Sequence, residues 1–327
     1  MYDVVALGEL VIDFSPGGVS AGNHALYERQ PGGAPSNVLA AVARLGGKAA
    51  IMGMVGDDSF GYYLKDMAES CGIDCTGLCF TGDAYTTLAF VHLDSSGERS
   101  FTVMRKPGAD TQLRKEQVRT DMIKQTGIFH VSAAALTDEP CREAAFYAAQ
   151  YARQEKKPVS FDANYRDVLW DREKAIRIMK TFLPLVDILK VSEEEMTMLT
   201  GTTDIPQGAE QLYDGGISLV TVTCGEKGSY YCYQGGHGFV PAYQVQAVDT
   251  NGAGDAFLGT LLYELCQTGT RPEAIPLQQM EHMIKAASAA GALCAARPGA
   301  LCAARPGALV GGPVWEEIRE LMGEPGQ

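Results

Sequence analysis

The stretch DTNGAGD at residues 249–255 decides the fold prediction, because it places a glycine-rich turn directly before an apolar segment, AFLGTLL at residues 256–262. That segment is predicted to be a helix. Glycines allow successive backbone N–H groups to face one point, and a helix N-terminus adds positive potential there. The backbone of Gly252, Ala253 and Gly254 therefore predicts an anion hole, with Asp255 in the first helical turn beside it.

Asp255 has two interpretations. A carboxylate beside an anion hole can accept the proton of an attacking hydroxyl during phosphoryl transfer. An aspartate that only caps a helix is the commoner finding for an isolated Gly-x-Gly-Asp. The usual nucleotide motifs do not decide between them, since the sequence lacks GxxxxGK[ST] and the 252–257 stretch lacks the last glycine of a dinucleotide fingerprint. Phosphate binding would need another scaffold.

A second glycine cluster is PGGAPSN at residues 31–37, which leads into an alanine-rich helical segment. Adjacent glycines at the start of a helix allow a ligand to approach the backbone closely. Asn37 can both donate and accept hydrogen bonds. The alternative is a helix capped by Ser36 with a flexible lead-in and no ligand.

Apolar runs rich in Val, Ile and Phe alternate with longer segments of helical periodicity. Strands separated by helices of this length favour βαβ crossovers and a mainly parallel sheet. The predicted strands are residues 4–7, 50–54, 127–131, 158–161, 186–190 and 219–223. The predicted helices are residues 36–45, 59–71, 139–154, 172–182, 193–199 and 207–213.

Residues 10–30 and 86–105 break this alternation. The segments TLAFVHL (87–93) and SFTVM (100–104) alternate polar and apolar residues around a turn at residues 94–97, which predicts antiparallel hairpin strands. A small sheet of this kind beside a parallel core is suited to act as a lid.

Composition excludes several classes of partner. The chain has 327 residues, with 27 Lys and Arg against 40 Asp and Glu, and a formal net charge of −13. A surface this acidic is a poor match for nucleic acid or an anionic membrane, which favour clustered Lys and Arg. No apolar run is long enough for a transmembrane helix, and the opening MYDVVALG predicts a buried strand rather than a leader.

The nine cysteines are odd in number and favour reduced thiols in the cytoplasm over a disulfide framework. Cys71, Cys75 and Cys79 recur every four residues. Gly72 and Gly77 interrupt any helix that would align them, so a structural zinc site is not favoured.

One repeat stands out, because ALCAARPG at residues 292–299 recurs identically at residues 300–307. Two copies of eight residues are too short for a solenoid and indicate a local duplication. Each copy ends in Pro-Gly, which disfavours a helix continuous through both.

The two glycine clusters, about 220 residues apart, together make the chain resemble the ribokinase-like (PfkB-type) carbohydrate kinases. The first family signature is Gly-Gly-x-x-x-Asn continuing to GDDSFG at residues 56–61, and the second is Asp-Thr-x-Gly-Ala-Gly-Asp. The resemblance covers roughly residues 4–309. It implies a single three-layer α/β/α domain with a mainly parallel central sheet and a small β-sheet lid, and transfer of the γ-phosphoryl of ATP to a sugar hydroxyl.

The resemblance also implies roles for individual residues. Asp255 would be the general base, with Gly252, Ala253 and Gly254 as the anion hole. The sugar would contact Asp13, Gly32, Gly33, Asn37, Arg105, Asn164 and Arg166. ATP would contact Ser192, Thr223, Gly225, Gly228, Asn251 and Ser288. Glu195 would hold Mg²⁺ indirectly, and Asp249 is the candidate ligand for a monovalent cation such as K⁺.

Several of these assignments have plain structural alternatives. Ser192 replaces the asparagine of the family motif Asn-x-x-Glu, so only Glu195 matches fully. The acidic residues 193–195 are equally typical of a solvated first helical turn. The segment TCGEKG at residues 223–228 is equally typical of a simple hairpin turn. Arg105 and Arg166 would serve as well in surface ion pairs.

Residues 162–170 resemble a motif shared by fructokinases and 2-keto-3-deoxygluconate kinases, and residues 101–110 and 189–195 resemble fructokinases. Fructose is therefore the predicted substrate. A keto-acid kinase is the alternative, since Arg105 and Arg166 could pair with a substrate carboxylate. The alternative from another class is a non-catalytic sugar-binding regulatory protein on the same fold.

Relatives often pair through the lid, so a homodimer of that kind is the predicted assembly, with no nucleic acid or membrane partner. The duplication falls where the family places the segment that borders adenine and a monovalent-cation site. Whether Gly299 or Gly307 matches the family glycine stays open, and ATP affinity is the property most exposed to the eight extra residues.

Overall fold

The computed structural model describes residues 1–93, 99–297 and 312–324. The strands are β1 Tyr2–Leu7, β2 Val11–Val19, β3 Ala25–Gly32, β4 Ala49–Gly56, β5 Ile73–Thr81, β6 Leu88–Leu93, β7 Arg99–Met104, β8 Thr126–Ser132, β9 Val159–Asp162, β10 Ile188–Ser192, β11 Leu219–Thr223, β12 Gly228–Tyr233 and β13 Gly236–Pro241. The helices are α1 Ala34–Arg44, α2 Ser59–Ser70, α3 Thr120–Lys124, α4 Cys141–Gln154, α5 Arg172–Phe182, α6 Glu193–Thr200, α7 Ile205–Asp214, α8 Ala253–Thr268, α9 Leu277–Ala295 and α10 Trp315–Met322.

The main sheet has the strand order β13-β12-β11-β10-β9-β8-β1-β4-β5. The seven strands from β11 to β5 are parallel to their neighbours, whereas β12 pairs antiparallel with both β11 and β13. All six predicted strands and six predicted helices are present, with boundaries shifted by up to two residues. The strands and helices predicted from the sequence did not include β5, β12, β13, the short helix α3 or the C-terminal helices α9 and α10.

Side-chain alternation divides the core into two layers. Val4 and Ala6 face the layer of α1, α8 and α9, whereas Val5 and Leu7 face the layer of α4, α5 and α7. Both faces of the parallel strands are thus buried, which explains their nearly continuous apolar sequences. The carboxyl ends of the parallel strands meet at one edge of this sandwich, where ligands bind in open α/β sheets.

The smaller sheet has the strand order β3-β2-β6-β7 and covers the two stretches that break the helix–strand alternation. The β2–β3 and β6–β7 pairs are antiparallel hairpins as predicted, but β2 and β6 pair parallel to each other. Each of these two strands follows a parallel strand of the main sheet, β1 or β5, so both leave the same edge in one direction. The predicted turn at residues 94–97 lies outside the described residues.

Packing joins the small sheet to the core through aromatic side chains. Phe14 of β2 stacks on Phe90 of β6 with ring centroids 4.9 Å apart, and it meets Phe60 of α2 edge to face at 6.0 Å. The guanidinium of Arg29 in β3 lies 3.7 Å from the ring centre of Tyr63 in α2. These contacts hold the small sheet over the carboxyl edge.

The first copy of the duplication ends α9, which stops at Ala295, three residues before Pro298. Residues 298–311, including both Gly299 and Gly307, lie outside the described residues. Cys75 and Cys79 belong to β5 and not to a helix. The described residues contain no cluster of three His, Cys, Asp or Glu side chains that could hold a metal, and no helix among them is long and apolar enough to cross a membrane.

Candidate active site

The glycine-rich turn of residues 249–255 forms the start of α8, as the sequence predicts. Gly252 precedes the helix in the left-handed region with φ 79°, a conformation that glycine adopts without strain. The N–H groups of Gly254 and Asp255 fall in the first turn, where no intrahelical acceptor exists. The N–H of Ala253 donates to the carbonyl of Thr250 at 3.2 Å, so it would have to leave that bond to join an anion hole.

Asp255 lies beside these N–H groups with 7 % of its surface exposed. Its Oδ2 accepts a hydrogen bond of 2.8 Å from Nδ2 of Asn37, in the first turn of α1. Burial and the nearby charge of Asp162 raise the pKa of Asp255 to about 6, against the opposing effects of Asn37, Lys190 and Arg166. A carboxylate with this pKa is ionised at neutral pH and basic enough to share a proton with a hydroxyl.

Asn37 has an unusual feature on its other side. Its Oδ1 is buried and has no hydrogen-bond partner within the described residues. A buried acceptor without a partner is unfavourable by about 1–3 kcal/mol. A ligand hydroxyl that donates to Oδ1 would remove that penalty, and it would lie within reach of Asp255.

Gly32, the last residue of β3, and Gly33, which precedes α1, come shortly before Asn37 in the sequence. A Cβ on Gly32 would collide with the carboxylate of Asp13, so these two residues are in direct contact. Gly33 has φ 115°, and a Cβ there would collide with the carbonyl oxygen of Glu9. Only glycine fits at position 33, whereas a side chain at position 32 would have to displace the carboxylate of Asp13.

Asp13, on β2, faces the same space. Burial raises the pKa of Asp13 to about 6, with Arg166 lowering it and Asp249 raising it. An ionised carboxylate at this position is a strong acceptor for sugar hydroxyls.

A cleft of about 820 Å³ is lined by Asp255 and the start of α8. The residues predicted for catalysis and for ATP all line it, namely Gly252, Ala253, Gly254, Asp255, Ser192, Thr223, Gly225, Gly228, Asn251 and Ser288. Glu195 and two residues that were predicted to contact the sugar, Asn164 and Arg166, line the same cleft. Asp13, Gly32, Gly33, Asn37, Arg105 and Asp249 do not line it. Asp255 therefore lines the large cleft and also bonds to Asn37, which belongs to a second group of residues, Asp13, Gly32, Gly33 and Asn37, that we call the glycine-rich pocket.

Two residues after β9 contribute to the cleft. Asn164 has φ 27°, in the region that non-glycine residues rarely adopt, and this conformation turns the chain out over the cleft. Arg166 follows at the exposed rim and interacts electrostatically with both Asp13 and Asp255. Arg166 makes no ion pair within the described residues. Its guanidinium is therefore available to an anionic ligand.

The acidic start of α6 is solvated only in part, because Glu194 is exposed whereas Glu195 is buried. Ser192 caps the helix by accepting from the N–H of Glu195, and Glu195 Oε2 accepts 2.7 Å from the N–H of Ser192. Glu195 Oε1 accepts 2.7 Å from the N–H of Tyr165, which ties α6 to the segment after β9. Both oxygens of Glu195 already bind N–H groups, which suits an indirect role towards a metal ion better than direct coordination.

The segment from Thr223 to Gly228 does connect two antiparallel strands, β11 and β12. It also lines the cleft, so the hairpin interpretation and the nucleotide-loop interpretation describe the same segment. Ser288, on α9, forms a 3.2 Å hydrogen bond with Ser229 at the far wall.

The segment before α8 is held to the end of α9. The N–H groups of Val248 and Asp249 both donate to the carbonyl of Ala295, at 2.8 and 3.1 Å. Asp249 Oδ1 accepts 2.9 Å from the N–H of Asn251. The duplicated segment therefore begins beside the candidate cation ligand and the glycine-rich turn.

Arg105 is buried, with 7 % of its side chain exposed. Its Nε donates to Asp110 at 2.7 Å, Nη1 to Thr137 at 2.7 Å, and Nη2 to the carbonyl of Ala134 at 3.0 Å. The surface-pair interpretation is therefore wrong for Arg105. Its predicted contact with the sugar stays a prediction.

Sequence reasoning missed Glu9 and Lys190. Glu9 accepts 3.1 Å from the N–H of Ala34 at the start of α1 and 2.8 Å from Ser132 Oγ. Burial raises the pKa of Glu9 to about 7. Lys190 forms a buried ion pair with Asp162, Nζ to Oδ1 at 3.1 Å. A lysine inside an apolar strand was the available signal, because such a charge needs a partner.

The fold combines a mainly parallel sheet with a small sheet that covers its carboxyl edge. At that edge a helix N-terminus faces a large cleft, and a buried carboxylate lines the cleft and bonds to the glycine-rich pocket. These features define a phosphoryl-transferring enzyme of the small-molecule kinase class. Residues 1–304 match the profile of the "pfkB family carbohydrate kinase". The chain belongs to that family, which confirms the resemblance inferred from the two glycine motifs.

Relatives and solved structures agree with this membership. The chain is 41 % identical to "Fructokinase-1" of Oryza sativa subsp. japonica and 39 % identical to "Probable fructokinase-5" of Arabidopsis thaliana, covering 90 % of this chain and 92 % and 91 % of theirs. A fructokinase with bound ATP from Xylella fastidiosa superposes with a TM-score of 0.86 at 32 % identity, covering 99 % of both chains. A fructokinase from Vibrio cholerae O395 with fructose, ADP and calcium bound gives 0.84 at 34 %, covering 98 % of this chain and 99 % of that one. The predicted ribokinase-like three-layer fold is confirmed.

Proposed function

We propose that this protein is an ATP-dependent fructokinase that converts fructose to fructose 6-phosphate. The observation that carries the proposal is the position of Asp255. Asp255 lies in the first turn of α8, where it lines the cleft, and its carboxylate accepts a hydrogen bond from Asn37 of the glycine-rich pocket. The fructose- and ATP-bound forms of the two bacterial fructokinases support the choice of substrates.

In this proposal the sugar occupies the pocket of Asp13, Gly32, Gly33 and Asn37. Asp13 accepts hydrogen bonds from sugar hydroxyls, and Oδ1 of Asn37 accepts one more. The terminal hydroxyl lies next to Asp255, which removes its proton as the oxygen attacks the γ-phosphorus. Alignment of the hydroxyl by both residues lowers the entropic part of the barrier.

ATP occupies the cleft, with its phosphates at the N-terminus of α8 and its base towards Ser288 and residues 223–228. Mg²⁺ bound to the ATP phosphates would offset their negative charge. The described residues offer no ready-made metal cluster, so the ion would arrive with the nucleotide and be ordered indirectly through Glu195. A monovalent cation such as K⁺ would bind near Asp249.

The small sheet is proposed to close over the sugar and exclude water, which suppresses wasteful hydrolysis of ATP. It exposes apolar side chains, including Val19, Leu26 and Tyr27. This exposure supports the predicted homodimer through the lid. The cysteines of the described residues are all unpaired, which supports a cytoplasmic location.

The test is an ADP-release assay with fructose, ribose, 2-keto-3-deoxygluconate and adenosine, at fixed MgATP and with and without K⁺. We expect the highest kcat/KM with fructose and identification of fructose 6-phosphate as product. A higher kcat/KM with 2-keto-3-deoxygluconate would replace fructose by the keto acid. Sugar binding without turnover of any substrate would favour the regulatory alternative.

A further inference from the structure

A row of polar side chains crosses the main sheet beneath the start of α8. Ser132 of β8, Asp162 of β9, Lys190 of β10 and Thr221 of β11 are neighbours in the strand register. All four are buried. Polar groups in such a place are unfavourable unless they are paired or serve a ligand.

The charges in this row are Lys190 and Asp162. Nζ of Lys190 lies 3.1 Å and 3.3 Å from the two carboxylate oxygens of Asp162. The exposed fractions of the two side chains are 8 % and 0 %. A buried ion pair adds little net stability compared with apolar side chains of the same volume, because both ions lose their hydration. Stability alone therefore does not account for this pair.

The position of Lys190 relative to α8 suggests a purpose. A Cβ added to Gly254 would lie only 2.9 Å from Nζ of Lys190, so the ammonium approaches the backbone of the predicted anion hole directly. Lys190 also lines the cleft assigned to ATP. Because Gly254 has no side chain, the ammonium of Lys190 can lie directly against the backbone at the N-terminus of α8.

Neighbouring groups keep Lys190 charged. Burial alone would lower its pKa, but the carboxylates of Asp162, Glu195 and Asp255 outweigh burial and raise the pKa of the ammonium. The neutral imidazole of His130 is a further neighbour, and Lys190 lowers the pKa of that ring. One ammonium thus faces three carboxylates around the position proposed for the transferring group.

We propose that Lys190 is a catalytic residue whose ammonium contacts the γ-phosphoryl group during transfer, held in place by Asp162 as a positioning residue. The inference rests on the proposed kinase function. As Asp255 takes the proton, the bond from the sugar oxygen to the γ-phosphorus forms. The bond from that phosphorus to the β,γ-bridging oxygen breaks, and its electron pair leaves with ADP. Lys190 keeps its proton and offsets charge on the equatorial oxygens.

The test uses the full-length protein and three variants. Lys190→Met removes the ammonium but leaves Asp162 unpaired in the core, which threatens folding. The double variant Lys190→Met with Asp162→Asn removes both charges and avoids that penalty. Lys65→Met is the matched control, because Lys65 forms an exposed ion pair with Glu69 on α2, away from the cleft.

We expect the double variant to stay folded and its kcat to fall by about 10²–10³, the usual effect of removing one donor to transition-state charge. Its affinity for a non-hydrolysable ATP analogue should fall by about tenfold or more, whereas its affinity for ADP, which lacks the γ-phosphate, should change by less than about twofold. Lys65→Met should leave all of these values unchanged.

Two results would overturn the inference. One is a folded double variant with kcat within about tenfold of the unaltered protein. The other is an equal loss of affinity for ADP and the ATP analogue, which would make the pair structural. A failure of the unaltered protein to phosphorylate fructose would instead reject the proposed function, while the comparison of the two nucleotides would still test the contact of Lys190.

Discussion

Nδ2 of Asn37 donates a 2.8 Å hydrogen bond to Oδ2 of Asp255, and the two residues are 218 positions apart in the chain. Asn37 lies in the first turn of α1 and Asp255 in the first turn of α8, and each helix follows a glycine-rich segment. The bond joins the two sequence motifs into one site. It also fixes the proposed base against the proposed sugar pocket.

Replacing Asp255 by Asn should separate activity from stability. We expect kcat to fall by roughly 10²–10⁴, the usual effect of a general base. Burial raises the pKa of Asp255 to about 6, so its contribution to stability becomes less favourable as the pH rises from about 4 and reaches its full cost above about pH 6. The variant should therefore have a higher Tm than the unaltered protein at pH 8 and little difference near pH 4.

Steady-state kinetics and thermal unfolding at both pH values measure these effects. Asp66→Asn is the matched control, because Asp66 is exposed on α2. A loss of kcat below about tenfold would remove Asp255 from the role of base.

The pH dependence of the unaltered enzyme should reflect the same carboxylate. Asp255 must be ionised to accept a proton, and its pKa is about 6. We expect kcat/KM for the sugar to be constant near pH 7.5 and to decrease as the pH falls through about 6. Asp13, whose pKa is also about 6, should make the decrease steeper than one proton alone. A profile that stays flat down to pH 5 would contradict this assignment.

Asn37→Leu should move that profile. The hydrogen bond from Asn37 favours the ionised form of Asp255, so its loss raises the pKa of the carboxyl. We expect the acidic limb of kcat/KM to shift to higher pH and KM for the sugar to rise. Measuring kcat and KM for the sugar across the pH range gives both the position of the acidic limb and the change in KM. A rise in KM with an unmoved limb would mean that Asn37 binds the sugar without influencing the base.

Gly33→Ala should be damaging for two reasons that a control can separate. The φ of 115° strains any side chain by roughly 1–3 kcal/mol, and the new Cβ would also collide with the carbonyl of Glu9. Gly46 has φ 93° with open space around it, so Gly46→Ala carries the strain without the collision. Urea unfolding should show a larger loss for Gly33→Ala, together with a higher KM for the sugar. Equal losses for the two variants would remove the collision as a cause.

Arg105→Met should act mainly on stability. Its partner Asp110 is 3 % exposed and would be left as an uncompensated buried charge. Breaking such a pair from one side is unfavourable by about 3–5 kcal/mol. Urea unfolding measures the loss, and Arg105→Lys should recover part of it. An unchanged free energy of unfolding with a raised KM would favour direct contact with the sugar.

Much of the fold was predictable because the apolar runs of the strands and the helical periodicity between them are both local signals. Alternation of apolar strands with helical segments is typical of a parallel sheet, and the strands missed were those with mixed composition, such as β5 and β13. The C-terminal helix α9 was missed because its alanine-rich sequence has only weak apolar periodicity. The parallel pairing of β2 with β6 has no local signal, since it depends on where two distant strands leave the main sheet.

The sequence by itself determined the class of chemistry, since the motif at residues 249–255 places N–H groups and a carboxylate at one helix start through short-range geometry alone. Only the tertiary structure decided what surrounds that carboxylate. Asn37 and Lys190 come from two other elements and approach the start of α8, and Asp162 of a third element pairs with Lys190. These contacts arise from strand register and helix packing. Burial and neighbouring charge then set the pKa of Asp255, and neither is visible until distant segments are packed together.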